Sequence, residues 1–172
     1  MKVSVFRNAL NIEVYREAIK TFSTHIPTVA LVGKSSSDAK VDKWRSADVR
    51  YIKPDHIIHS ELSKFASQFG NYDCEIVQVI TYKEGNYYKW HQDGSGNGYR
   101  KLSFISILNP PNEYDGGELE IEGIDLPEYA YDPLSIIVFN PALRHRVKPI
   151  TRGIRHSLVT WFKDKDFPKE ML

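Results

Sequence analysis

The sequence lacks the features that mark exported and membrane-spanning proteins. Its 172 residues include a single cysteine, Cys74, so an intrachain disulfide is impossible and a cysteine-based zinc site would have too few thiolates. No apolar run approaches the ~20 residues needed to span a bilayer. The amino-terminal stretch MKVSVFRNAL is too broken by polar residues to be a signal peptide. These absences predict a soluble protein in a reducing compartment, the cytoplasm, with no membrane partner.

The charge of the chain has no strong sign. Lys and Arg total 23 and Asp and Glu total 22, which leaves a formal net charge of +1. A protein that binds nucleic acid is expected to carry a basic patch with interleaved aromatic residues, and the sequence shows none. The glycine patterns of nucleotide-binding loops and internal repeats are missing as well. We therefore expect no nucleic-acid partner, and a chemistry that individual side chains carry.

The composition predicts a folded globular chain, because 41% of the residues are hydrophobic and only 26% are charged. Apolar residues recur at helical spacing after Asn11, a suitable N-cap, and again over residues 54–69. From Glu75 onward, short runs of β-branched and aromatic residues alternate with Gly, Pro, Asn and Asp. The predicted strands span residues 48–52, 75–82, 87–92, 102–108, 118–124, 135–139 and 154–162.

This order of elements predicts helices that support an antiparallel double sheet or barrel, in an α+β fold that is mainly β. We expect one domain over residues 1–172, with helical support over about 1–70 and the sheet core over about 72–165. Between the two helices, Thr28–Val32 predicts a short strand and Gly33–Asp38 predicts a mobile surface loop.

The sharpest chemical motif is His91-Gln92-Asp93. Residues two apart in a strand point to the same face, so the imidazole and the carboxylate could share a metal. A second histidine from a distant strand would complete the two-histidine, one-carboxylate triad of non-haem iron(II) oxygenases. His145 is the best candidate, because it follows the apolar strand predicted over residues 135–139. Without that third residue, a histidine beside an acid would be an ordinary surface pair.

A buried cation is predicted close to this triad. Arg155 lies ten residues after His145. If the chain turns at Thr151–Gly153, the strand that begins at Ile154 runs back beside His145 and aims Arg155 into the same cavity, with Ser157 on the same face. A guanidinium can hold the far carboxylate of a dianionic oxoacid with two hydrogen bonds. Three protein ligands would leave metal positions for the oxoacid and for oxygen.

Three blocks of the sequence resemble the iron(II)- and 2-oxoglutarate-dependent dioxygenases of the prolyl 4-hydroxylase-like group, and they occur in the family's order. The blocks are residues 82–93 (YKEGNYYKWHQD), 109–121 (NPPNEYDGGELEI) and 145–162 (HRVKPITRGIRHSLVTWF). Upstream, Gly33–Ile52 is similar to the mobile loop and following strand over the active site of oxygen-sensing prolyl hydroxylases. The resemblance implies a double-stranded β-helix, or jelly roll.

The resemblance also implies roles for individual residues. The iron ligands would be His91, Asp93 and His145. Around the cosubstrate, Arg155 would pair with the distal carboxylate of 2-oxoglutarate, Tyr82 would donate a hydrogen bond to the cosubstrate and Ser157 would assist the arginine. The implied cofactors are Fe(II), 2-oxoglutarate as cosubstrate and O2, with ascorbate as a candidate reductant.

The activity implied is hydroxylation of a C–H bond, of a prolyl residue in a protein or peptide, with release of succinate and CO2. Arg155 stands where collagen-type enzymes have lysine, which places the chain nearer to the oxygen-sensing, bacterial and viral branches. Asp93, where a halogenase would have Ala or Gly, favours hydroxylation. Two alternatives stay open: a hydroxylase of a free amino acid or small metabolite, and a non-catalytic cupin-like metal-binding module. The oligomeric state is also open.

Several other residues carry weaker expectations. Tyr88 and Arg45 are candidates for a substrate cleft, since aromatic rings can embrace a prolyl side chain and a cation can orient a peptide or an acidic substrate. For Arg45, a solvated surface position is the plainer expectation. His56 and His59 lie three residues apart on the second predicted helix, where we expect a solvated face. Trp161 is expected in the core.

Overall fold

Two antiparallel β-sheets pack against each other in the computed structural model, which describes residues 2–24, 28–29, 44–94 and 98–168. The larger sheet has nine strands and the smaller sheet has four. In chain order the strands are β1 (Val3–Phe6), β2 (Thr28–Val29), β3 (Arg45–Ser46), β4 (Asp48–Ile52), β5 (Tyr72–Cys74), β6 (Val77–Lys83), β7 (Tyr87–His91), β8 (Arg100–Ile107), β9 (Tyr114–Gly116), β10 (Leu119–Ile121), β11 (Ile136–Phe139), β12 (His145–Val147) and β13 (Ile150–Asp164).

The order of strands places distant parts of the chain side by side. The larger sheet runs β1-β11-β8-β13-β6-β4-β2, and β5 and β9 also pair with β13. The smaller sheet runs β10-β12-β7-β3. Because β7 and β12 are neighbours in space but not in sequence, residues at the ends of these two strands meet only in the folded protein.

Two helices cover the outer face of the larger sheet. Helix α1 spans Ile12–Thr24, and the N–H of Glu13 donates to the Asn11 side-chain oxygen at 2.8 Å, which confirms the predicted cap. Helix α2 spans Ile57–Ala66, and its first turn donates to the imidazole of His56. The buried faces of both helices share one apolar core with the larger sheet.

The central strand β6 shows why its sequence is almost continuously apolar. Its residues alternate between two cores: Val77 and Val79 face the helices, whereas Ile80 and Tyr82 face the smaller sheet. The second core, between the two sheets, also receives Leu119 and other side chains of the smaller sheet. The strand is therefore buried on both faces.

The prediction of a mainly β, double-sheet fold with supporting helices is confirmed. β4 matches its predicted bounds, and the other predicted strands differ at their ends by a few residues. Strand β1 was not predicted, because four residues near the amino terminus carry too short a pattern. It pairs with β11 at the edge of the larger sheet.

The predicted turn at Thr151–Gly153 is wrong. β13 runs without interruption from Ile150 to Asp164, and the chain passes from β12 into β13 without reversing, because residues 145–153 run antiparallel to residues 114–121 throughout. Pro149 has no N–H to donate, so it interrupts the ladder between the two strands without turning the chain. Gly153 instead marks an irregularity in β13, with φ at +75° beside the register shift against β9.

The expectation of a solvated face is wrong for His59, which is buried and lies 3.0 Å from the carbonyl of Ile52. Of the predicted strand Thr28–Val32, only β2 lies within the described residues. The predicted loop Gly33–Asp38 lies outside them. Within the described residues, neither helix is long and apolar enough to cross a membrane.

Candidate active site

Two histidines meet where the smaller sheet closes over the larger one. His91 is the last residue of β7 and His145 is the first residue of β12, and the two are cross-strand partners in the antiparallel pair. Their imidazole ring centroids lie 4.1 Å apart. The pairing of β7 with β12 therefore brings His145 beside His91, as the sequence analysis expected of a second histidine from a distant strand.

Asp93 completes the group from just outside the strand. β7 ends at His91, and Asp93 is held by its own N–H, which donates to the carbonyl of Pro141 at 2.9 Å. Strand alternation therefore does not explain its direction, although its carboxylate does reach the two imidazoles. Asp93 Oδ1 lies 3.6 Å from His91 Nε2, and Asp93 Oδ2 lies 3.3 Å from His145 Nε2.

The backbone fixes which ring nitrogen of each histidine is free to bind. Nδ1 of His91 lies 2.7 Å from the carbonyl of Lys89, and Nδ1 of His145 lies 2.9 Å from the carbonyl of Leu143. A carbonyl only accepts, so each Nδ1 donates its N–H to the backbone, and each Nε2 is left on the side of Asp93. Such outer contacts orient the ligands of metal sites.

The carboxylate of Asp93 is ionised at neutral pH. Burial alone would raise its pKa, but hydrogen bonds from His145 and His91, the charge of His145 and the Ser103 hydroxyl together hold the pKa of Asp93 well below its usual range. The Ser103 hydroxyl donates to Asp93 Oδ2 at 2.6 Å. One carboxylate and two imidazoles, with ligand atoms within 4.8 Å of one another, fit a divalent iron with open positions. No other such cluster occurs among the residues that the structure describes.

Arg155 lies in the same cavity and has donors to spare. It is 1% exposed on β13, and its Nε and Nη2 atoms are buried without a hydrogen-bond partner. Its guanidinium lies 5.5 Å from the ring centroid of Tyr82, its cross-strand neighbour on β6. The hydroxyl of Tyr114 is also buried without a partner. Unsatisfied buried donors are costly, so this corner of the cavity fits an anion that accepts several hydrogen bonds.

A glycine makes room for this arginine. Gly117 has φ at +68°, and a Cβ there would lie 2.2 Å from Ile150 Cδ1 and 3.1 Å from Arg155 Cδ. Gly116 has positive φ as well, a backbone conformation that residues other than glycine rarely adopt. The lack of a side chain at Gly117 is therefore part of what positions Arg155.

The cavity lies between the two sheets, and its empty volume is about 480 Å³ when the solvent at its opening is counted. The triad, Arg155, Tyr82 and Ser157 line it, so the structure brings all six residues of the predicted site together. Its remaining polar and aromatic walls come from Arg45, Gln78, Tyr88 and Trp161.

The cavity walls also correct the sequence analysis. Arg45 was expected on the solvated surface but is 7% exposed, and Trp161, expected in the core, is buried with an unpartnered Nε1–H at the cavity. Gln78, which lines the cavity, and Tyr114, which interacts with Arg155, were missed. Gln78 is a lone amide in an apolar strand, a pattern that could have marked it, whereas Tyr114 gave no signal in its stretch NPPNEYDGG.

Tyr88 links the histidine of β7 to the cavity wall. Its ring stacks on the imidazole of His91, with centroids 3.5 Å apart and planes 19° apart. Burial raises the pKa of Tyr88 to about 12, so its phenol stays protonated over the physiological range.

Comparison with known sequences places these residues in one matched region. The sequence model of the 2OG-Fe(II) oxygenase superfamily matches residues 77–163. A PKHD-type hydroxylase of Synechococcus sp. (strain JA-2-3B'a(2-13)) is 47% identical over 62 residues, which are 35% of this chain and 27% of that protein. A PKHD-type hydroxylase of Hyphomonas neptunium is 40% identical over 87 residues, 46% of this chain and 39% of that protein. The matches thus span well under half of either relative.

Solved structures share the fold over nearly the whole chain. A prolyl-4-hydroxylase of Pseudomonas putida superposes with a TM-score of 0.70 at 20% identity, covering 95% of this chain and 93% of that one. A prolyl hydroxylase of Trichoplax adhaerens, solved with a peptide of hypoxia inducible factor, gives a TM-score of 0.68 at 19% identity, covering 95% and 84%. At these identities the likeness is one of fold.

Proposed function

Because this chain belongs to the 2OG-Fe(II) oxygenase superfamily, we propose that it hydroxylates a C–H bond at the expense of 2-oxoglutarate and O2. One oxygen atom enters the substrate as a hydroxyl group and the other enters succinate, with CO2 as the third product. The observation that carries the proposal is the meeting of a His-Asp-His triad and a buried arginine with unpartnered donors in one cavity.

The triad residues are suited to hold Fe(II), which when bound supplies the oxygen-activating chemistry. His91 and His145 each turn Nε2 toward the centre of the triad, and Asp93 supplies one negative charge. The hydroxyl of Ser103 fixes the carboxylate of Asp93 and so keeps the three ligand atoms on one side of the metal.

Arg155 is suited to bind the distal carboxylate of 2-oxoglutarate through Nε and Nη2, two atoms that have no hydrogen-bond partner among the described residues. We add Tyr114 to the residues proposed to bind the cosubstrate. Its hydroxyl is buried without a partner among the described residues, and it interacts electrostatically with Arg155. The guanidinium of Arg155 lies over the ring of Tyr82, and Ser157 lines the same cavity.

The substrate proposed is a prolyl residue of a protein or peptide. The shared fold of the prolyl hydroxylases of P. putida and T. adhaerens supports it. So do the aromatic side chains of Tyr88 and Trp161, which line the cavity and offer flat apolar surfaces for a pyrrolidine ring.

The first test is an anaerobic titration of the iron(II)-loaded protein with 2-oxoglutarate. We expect the visible metal-to-ligand charge-transfer band that marks chelation of the oxoacid, and we expect Asp93→Ala to abolish it. Admitting oxygen with proline-containing peptides should then yield succinate and peptides heavier by one oxygen atom. Absence of the band while iron is bound would remove the oxygenase assignment and favour a binding module.

A further inference from the structure

The cavity contains a second buried arginine that the oxoacid does not need. Arg45 lies on β3, paired with Tyr88 of β7, and is 7% exposed. Its Nη2 atom lies 3.5 Å from Gln78 Oε1, the limit of a hydrogen bond, and its Nε is buried with no partner. Within the described residues it forms no ion pair, so none of the described carboxylates neutralises this desolvated cation at the cavity.

Arg100 provides a comparison, because its guanidinium has the hydrogen-bond partners that Arg45 lacks among the described residues. Arg100 makes two hydrogen bonds to the carboxylate of Glu75, at 2.7 and 3.2 Å, and a third to the carbonyl of Asp93 at 3.0 Å. Its guanidinium also lies over the ring of Trp161, 3.9 Å from the ring. Arg45 has the ring contact, 4.9 Å from the centroid of Tyr88, but lacks the carboxylate. A buried charge in that state is expensive unless a ligand completes it.

The sum of the charges around the cavity also leaves the positive charge of Arg45 unbalanced. Among the residues that the structure describes, Asp93 is the only carboxylate that lines it, against the two arginines Arg45 and Arg155. A divalent iron and a dianionic oxoacid cancel each other, and Asp93 and Arg155 cancel as well. The positive charge of Arg45 is what remains, and neither the metal nor the cosubstrate neutralises it.

We propose that Arg45 binds a carboxylate of the substrate, so that the enzyme acts on a C–H bond close to a carboxylate. The inference rests on the proposed function and narrows its substrate class to anionic substrates. The ring of Tyr88 contacts both Arg45 and His91, which sets the guanidinium one aromatic ring away from the triad. The carboxylate could be the main-chain carboxylate of a free or carboxyl-terminal residue, or an acidic side chain next to the target residue.

The direct test uses acetate as the smallest carboxylate probe. The full chain is loaded with zinc(II) in place of iron(II) and saturated with 2-oxoglutarate, so that Arg155 is occupied. The Nε–H resonance of Arg45 is assigned from its loss in Arg45→Lys and Arg45→Gln. We expect acetate to shift this resonance to saturation and acetamide to leave it in place. An Arg45 resonance that acetate does not move would overturn the proposal.

Matched substrate-like probes then measure the contribution of the charge. N-acetyl-L-proline should bind about tenfold or more tightly than its carboxamide, as expected for a charge-assisted hydrogen bond. Arg45→Gln should erase that preference, and Arg45→Lys should keep part of it. Arg144→Gln is the control, because it removes the same charge from an exposed position directly before β12, where Arg144 pairs with Glu122.

The remaining outcomes separate this proposal from its premise. A preference for acetyl-Pro-Asp amide over acetyl-Pro-Asn amide, without one between the N-acetyl-L-proline probes, would support a side-chain carboxylate as the source. Acetate binding without discrimination in either prolyl pair would support the carboxylate site while removing proline as the substrate. If Arg45→Gln weakens 2-oxoglutarate binding as much as Arg155→Ala does, Arg45 belongs to the oxoacid site and the proposal fails. Failure of the proposed function itself would appear earlier, as a missing charge-transfer band.

Discussion

At the scale of single residues, Gly117 is the position where a methyl group should disturb oxoacid binding most selectively. Gly117→Ala would strain a backbone at φ +68° and push a Cβ against Ile150 and the stem of Arg155. We expect the dissociation constant of 2-oxoglutarate to rise about tenfold or more, as expected when a charge-assisted hydrogen bond is misplaced. Anaerobic titration of the iron(II)-loaded variant measures it.

The control for this change is Gly123→Ala. Gly123 has nearly the same φ, +70°, but nothing lies within 4 Å of its virtual Cβ. Both variants should therefore lose similar backbone stability, and only Gly117→Ala should lose oxoacid affinity. Equal affinities in the two variants would mean that Gly117 does not position Arg155.

His156 should make the stability of the protein depend on mild acid. Burial and the charge of Arg50 lower its pKa to about 4, from 6.5 for a free histidine. The unfolded chain therefore takes up a proton that the folded protein refuses, and the free energy of unfolding falls as the pH drops from 6.5 toward 4. His156→Gln should flatten that slope in urea denaturation series.

The slope of the free energy of unfolding against pH should differ between the wild type and His156→Gln only in this range of pH. Above about pH 7.5 the histidine is neutral in both states, so its titration contributes no slope there. Parallel curves for the wild type and His156→Gln between pH 6.5 and 4 would contradict the assignment.

At the scale of elements, helix α2 should stabilise the fold without taking part in the chemistry. Leu62 is 1% exposed and belongs to the core between the helices and the larger sheet, on the face away from the cavity. Leu62→Ala should lower the free energy of unfolding by about 2–5 kcal/mol. The folded variant should still bind 2-oxoglutarate with wild-type affinity.

Urea denaturation and oxoacid titration together test that separation. Lys64→Ala on the exposed side of α2 serves as the control and should change stability by less than about 0.5 kcal/mol. A Leu62→Ala variant that is folded but binds 2-oxoglutarate poorly would show that the two cores are coupled through the sheet.

The elements also show what a sequence can and cannot reveal. The triad, Arg155 and the helices could be predicted, because motif order and apolar spacing are local properties. The burial of Arg45 could not, since it depends on the pairing of β3 with β7, two strands far apart in the chain. The interruption between β12 and β13 at Pro149 could have been predicted, because proline lacks the N–H that a central strand needs.

At the scale of the whole molecule, ligands of the cavity should stabilise the fold. Iron(II) and 2-oxoglutarate bind only where both sheets are assembled, so each ligand at 100 times its dissociation constant should add about 2.7 kcal/mol to the free energy of unfolding. A chelator should reverse the gain, and Asp93→Ala should show none. Thermal or urea unfolding with and without the ligands provides the measurement, and an equal gain in Asp93→Ala would place the stabilising metal elsewhere.

The division of the site between the two sheets has a dynamic consequence. His91 and His145 belong to the smaller sheet, whose strands have two to five residues, whereas Tyr82 and Arg155 belong to the larger one. A cosubstrate bound at one end by the metal of the smaller sheet and at the other by Arg155 would hold the smaller sheet firmly against the larger one. Backbone amides of β7 and β12 should then exchange with deuterium far more slowly in the loaded protein, while those of β8 and β13 keep their rates.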